Sequence, residues 1–104
     1  MSIEYADEKL MEAVYCLATG SGRIQERLAA AAMVLIRLTP DDFPEGDLRR
    51  IFEGVDDDLT FEQPEGDEGS ISATLKRTSD EDARAIAQRI VDLYHAVSRL
   101  TRER

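Results

Sequence analysis

Apolar side chains recur three and four residues apart at Ile3, Ala6, Leu10, Ala13, Val14 and Leu17. That spacing puts them on one face of a helix, because successive helical residues turn by about 100°. Thr19-Gly20-Ser21-Gly22 then reads as a glycine stop and a serine cap, predicting a tight connection to a second helix that starts near Gly22 or Arg23. Ile24, Leu28, Ala31, Leu35 and Leu38 carry the stripe onward, while Ala29, Ala30, Ala32, Met33, Val34 and Ile36 make the second half of that helix apolar all round. A helix without a polar face belongs inside, so this one is expected to be central and the most buried. It should stop at Thr39-Pro40, since proline drives the preceding residue out of helical backbone.

A third helix is predicted from Phe43-Pro44-Glu45, with Asp42 as its cap, Pro44 in the first turn and Glu45 at the positive end of the helix dipole. Its buried stripe would be Leu48, Ile51, Phe52, Val55 and Leu59, and Gly46 and Gly54 would each weaken it by about 1 kcal/mol relative to alanine. Residues 60–70 carry a proline, glycines and acids with almost no apolar side chain, the composition of a mobile acidic loop. Ser70 is expected to cap a short helix holding Ile71 and Leu75. The alternation Ile71, Ala73, Leu75 would also suit a strand paired with residues 59–61, so residues 59–75 admit a small hairpin as the lesser alternative. Ser79 opens the last helix, with Asp80, Glu81 and Asp82 in its first turn and Arg99, Arg102 and Arg104 near its end. Ala83, Ile86, Ile90, Leu93, Val97 and Leu100 form a coiled-coil-like seam along it. The pattern as a whole predicts an all-α bundle of four long helices plus one short helix, with helix 2 central, in a single domain spanning residues 1–104.

Charge narrows the partners. The 104 residues carry a formal net charge of −9, which repels phosphate backbones and anionic lipid, so neither nucleic acid nor a membrane surface is expected to bind. The opening MSIEYADEKL has no basic region or apolar run of a signal peptide, and the longest apolar stretch, Leu28 to Ile36, is far short of a membrane span. Cys16 is the single cysteine and His95 the single histidine. No intrachain disulfide can form, no zinc motif or cofactor motif is legible, and a reducing cytoplasm is the simplest setting.

The stretches LATGSGRIQERL, LTPDDFPEGDLRRIFEGV and EGDEGSISATLKRTSDEDARAIAQRIVDLY together resemble a group of small, functionally uncharacterised bacterial proteins. The resemblance spans most of the chain and implies a bacterial intracellular protein. It carries over no activity, cofactor or catalytic residue.

Three features carry chemistry in the sequence. Ser21, Gly22, Arg23 and Arg27 stand at a helix start, where free amides and guanidinium groups attract anions, although ordinary capping accounts for the same residues. Between residues 41 and 68 twelve acids face only Arg49 and Arg50. Asp41, Asp42, Asp56, Asp57, Asp58, Glu62, Glu65, Asp67 and Glu68 from that run are the candidate surface for a basic protein partner; their spacing is not that of a calcium-binding loop, and a solvated face is the plainer reading. Met11 and Tyr15 lie opposite the buried stripe of the first helix, which implies either a hairpin enclosed by the other helices or a surface for homodimer formation. Cys16 and His95 read as structural, since no motif frames them as a catalytic pair.

The expected function is therefore that of a non-enzymatic cytoplasmic interaction or regulatory protein with an acidic docking surface. The rival is an enzyme or small-molecule-binding domain with a pocket between helices, using carboxylates such as Asp42 or Asp57 with Arg27 or Arg49.

Overall fold

The computed structural model describes residues 2–62 and 69–103. Among these residues all regular structure is helical: α1 (Ile3–Thr19), α2 (Ile24–Leu35), a 3-10 turn (Pro40–Asp42), α3 (Asp47–Leu59), α4 (Ser70–Lys76) and α5 (Asp80–Arg102). Residues 59–62 and 70–75 form no hairpin; Ser70–Lys76 is the short helix. The acidic-loop reading of residues 63–68, with Glu65, Asp67 and Glu68, falls outside the described residues.

Capping sets the helix boundaries. Ser2 accepts the Tyr5 amide at 3.1 Å and opens α1, and Ser79 accepts the Asp82 amide at 3.0 Å and opens α5, each satisfying a donor with no partner inside its helix. Gly20 closes α1 as predicted, its amide donating to the Cys16 carbonyl. Ser21 is not the cap of α2. Gly22, at φ +92°, swings the chain so that Arg23 takes the cap position, and the Glu26 carboxylate reaches back to the Arg23 amide at 3.2 Å.

Further on, α2 ends at Leu35, short of the predicted Thr39-Pro40 stop; a tight turn through Ile36 and Arg37 follows, and Leu38 is buried from outside the helix. Asp42 caps the 3-10 turn instead of α3, its Oδ2 accepting the Thr39 amide at 2.9 Å. The start of α3 falls to Gly46, whose φ of +119° lies where a side chain is strained. Arg49 braces this connection by donating to the Phe43 carbonyl at 2.8 Å. Likewise Gly69, and not Ser70, is the cap residue of α4.

The predicted stripes meet in one core. Leu10, Leu28, Phe43, Val55, Ile90, Leu93 and Val97 are its largest fully buried side chains, and Phe43 stacks on Phe52 with ring centroids 4.6 Å apart. α1 and α2 form an antiparallel hairpin; α2 packs against α1, α4 and α5, and α5 packs in turn against α1, α2 and α3. Two partly buried polar links pin these layers. Gln25 donates to the Thr78 carbonyl (3.0 Å) and to Asp80 (2.8 Å), tying α2 to the α4–α5 connection, and Thr101 bonds to Asp7 at 3.3 Å between α5 and α1.

Two expectations of burial need correction. Ile51 is 41 % exposed, because α3 turns Phe52, Val55 and Leu59 inward and so presents Ile51 to its edge. Neither is α2 buried all round. α1, α4 and α5 cover only part of its circumference, which leaves Met33 57 % and Ile36 53 % exposed. For the same reason no helix among the described residues encloses the α1–α2 hairpin, and Met11 and Tyr15 stand 53 % and 68 % exposed.

Candidate functional site

The predicted site residues are best judged by how much of their hydrogen-bonding and charge the fold already uses. At the start of α2 most of it is used. Glu26 supplies the carboxylate at the Arg23 amide, Arg23 extends to Asp80 at 3.6 Å, and Arg27 turns away to donate to the Leu17 carbonyl at 3.1 Å. Ser21 and Gly22 lie exposed in the loop. The four residues predicted to meet an anion therefore point to different partners, and the chain's own carboxylate occupies the amide they would offer.

The acidic run is divided in a similar way. Asp58 pairs with Arg89 of α5, Glu62 lies 3.7 Å from Arg77, Asp41 4.0 Å from Arg49, and Asp47 pairs with Arg50. Asp42 is buried and caps its own turn. Arg77 and Arg89, which lie outside residues 41–68, thus offset two of the acids that look unbalanced when that run is read alone. Glu53, Asp56 and Asp57 remain exposed on α3. Partial burial, and then the neighbouring charge of Asp57, push the Asp56 carboxyl above its ordinary value of 3.8. Asp80 goes the other way, lowered chiefly by the Gln25 hydrogen bond.

Two clefts of about 580 Å³ hold the remaining polar groups. In one, Asp58, Glu62, Arg77 and Arg89 line the wall between α3, α4 and α5, with Phe61 at its rim. Asp58 and Glu62 are matched there by the ion pairs with Arg89 and Arg77 just described, and Asp82 also lines the cleft. In the other, Ser2, Glu4, Asp41 and Asp42 lie beside Phe43 and Leu100, but the Ser2 hydroxyl caps α1 and the Asp42 carboxylate caps the 3-10 turn. Neither cleft presents a nucleophile held by a base. Cys16 lies half-buried in α1, while His95 is exposed on α5 beside the Tyr94 ring, and no described contact joins the two. Among the described residues no three His, Cys, Asp or Glu side chains converge on a metal position, and no helix is long and apolar enough to cross a membrane.

The outer face of the α1–α2 hairpin has a different character. Met11, Glu12, Tyr15 and Cys16 of α1 and Val34 of α2 line a shallow, largely apolar depression of about 420 Å³. Met33 stands exposed beside Val34. Of these side chains Glu12 pairs with Lys9 at 3.1 Å and Cys16 packs in part against the core, while Met11, Tyr15 and Met33 are each more than half exposed. Their signal in the sequence was the Met11–Tyr15 pair at four-residue spacing opposite the buried stripe, and the apolar excess of α2.

Comparison with protein-family models, with curated proteins and with solved structures found no match.

Proposed function

We propose that this chain is a non-enzymatic protein-interaction domain whose contact surface is the outer face of the α1–α2 hairpin. One observation carries the reading: Met11, Tyr15 and Met33 are each more than half exposed, on the face where Val34 and Cys16 line a common depression. Exposed Met and Tyr side chains in one patch are the composition of interface centres, where desolvating them supplies most of the binding energy. The ion pairs in the first cleft and the capping roles of Ser2 and Asp42 in the second weigh against the rival enzymatic reading. The bacterial cytoplasm is the proposed setting, in keeping with the lone thiol of Cys16 and with the resemblance to bacterial proteins.

A photo-crosslinking residue at position 33, with a control at the exposed position 92 of α5, tests this in intact host cells. A protein adduct at position 33 and none at position 92 is the expected result. Absence of any adduct at position 33 would refute it.

A second reading is favoured by Asp56. With Glu53 and Asp57 it forms an exposed acidic face of α3, onto which a basic protein segment would bring counter-charge. Asp41, Asp42, Asp58 and Glu62 would contribute less, being engaged within the fold. An arginine-rich peptide should shift the Asp56 and Asp57 resonances at low salt and lose that effect at about 1 M salt, where the screening length is about 3 Å. Unchanged resonances at low salt would exclude it.

A further inference from the structure

We infer that the occupant of the α1–α2 face is a second copy of this chain, packed as an antiparallel four-helix contact about a twofold axis running along the hairpin; this rests on the reading of that face as the interaction surface. Arg27 meets the Leu17 carbonyl and Val34 shares a depression with Met11, so residues at equal height on the two helices have numbers that sum to about 45. Tyr15 therefore stands level with Ala30, and Glu8 level with Arg37. A twofold axis parallel to the hairpin preserves height and places α1 of each copy over α2 of the other. Tyr15, 68 % exposed, then lies over the small exposed Ala30, Met11 over Met33 and Val34, and Glu8 opposite Arg37. One surface supplies both the projecting side chain and the space that receives it, the requirement for a self-complementary contact.

Charge and area agree with this assignment. Glu8 on the exposed side of α1 then meets Arg37 of the turn that follows α2, an unlike pair, and Glu26, the exposed charge within α2, stands level with the uncharged Thr19. The surplus acids of α3 stand elsewhere, since α3 packs on α4, α5 and the 3-10 turn. The exposed parts of Met11, Tyr15 and Met33 amount to roughly 300 Å² of apolar surface, taking about 150–200 Å² for a large side chain. A standard interface buries about 800 Å² per partner, of which about 57 % is apolar. These three side chains therefore supply about two thirds of the apolar surface that one partner of such a contact buries.

Sedimentation of the full chain across micromolar to millimolar concentration tests the inference. The expected result is a reversible dimer whose dissociation constant rises at least tenfold in Tyr15→Glu and in Arg37→Glu, and returns toward the parent value when Arg37→Glu is combined with Glu8→Arg. Both single variants lie at exposed positions, and unchanged helical circular dichroism confirms their folding. A chain monomeric throughout the range, or a dimer insensitive to Tyr15→Glu, overturns it. A monomer that still forms an adduct at position 33 with a protein of different mass overturns the second copy while leaving the interaction reading intact.

Discussion

Ile90→Ala, set against Ile51→Ala, probes the fold on which the surface argument depends. Both isoleucines belong to apolar stripes that look equivalent in sequence, but Ile90 is fully buried and Ile51 is 41 % exposed. Removing three carbons from a buried position loses about 0.8 kcal/mol each in transfer energy, about 2.4 kcal/mol together. A cavity that closes only partly adds about 1 kcal/mol, and the better helix propensity of alanine returns a few tenths. The expected cost at Ile90 is thus about 3 kcal/mol, a large share of the roughly 5–15 kcal/mol that stabilises a small domain. At Ile51 the lost contact is partial and the same propensity gain offsets much of it, leaving under about 1 kcal/mol. Urea denaturation followed by circular dichroism measures both, with the slope of the transition checking that the unfolded state is unchanged. Equal costs at the two positions would mean that α3 is rotated from its described orientation, and the reasoning would fail.

Three other perturbations have defined signs. Gln25→Ala removes the links to Thr78 and Asp80 and should cost about 1–3 kcal/mol, while the Asp80 carboxyl, followed by NMR titration, moves up toward its ordinary value; an unmoved Asp80 would contradict the assigned cause. Because its folded pKa is lowered, Asp80 contributes stability that is present above the ordinary value of 3.8 and lost as pH falls through the folded value. Asp56 has the opposite sign: its raised pKa means the ionised carboxylate is disfavoured in the fold. Asp56→Asn should therefore stabilise the protein at neutral pH, and thermal melts should show that gain shrinking as pH falls through the folded value; a destabilised variant at neutral pH would refute this. Gly46→Ala forces a side chain onto a backbone at φ +119° with no neighbouring atom within 4 Å of the added methyl, so the whole cost is backbone strain, about 1–3 kcal/mol by chemical denaturation; no change would mean that the start of α3 relaxes.

The helices themselves were legible because periodicity reports on burial. Ile3 to Leu17 and Ala83 to Val97 place their stripes inward as their spacing implies. Boundaries were less legible, for a physical reason: several residue types can cap, and tertiary geometry chooses among them. Ser21 has the chemistry of a cap, but the turn at Gly22 hands that position to Arg23. Asp42 looks like the cap of α3 and instead closes the 3-10 turn behind it. Ion pairs across the fold were hidden for a similar reason. The partners of Asp58 and Glu62 are Arg89 and Arg77, and nothing local in sequence announces which helix will face α3. The exposed face of α1–α2 was legible as an alternative, since Met11 and Tyr15 stood off the buried stripe. Only the packing of α4 and α5 decided that nothing within the described residues covers it.

The most direct test of the central claim uses the methionine methyl groups. The chain has three methionines, two of which, Met11 and Met33, lie on the proposed face. In a chain labelled with carbon-13 at the methionine methyls, the account predicts that the Met11 and Met33 resonances shift together as concentration is raised from micromolar to millimolar, while those of isoleucine methyls at Ile51 and Ile90 stay in place. Met11 and Met33 resonances that hold still across that range, or that move no more than the Ile51 methyl, would contradict it.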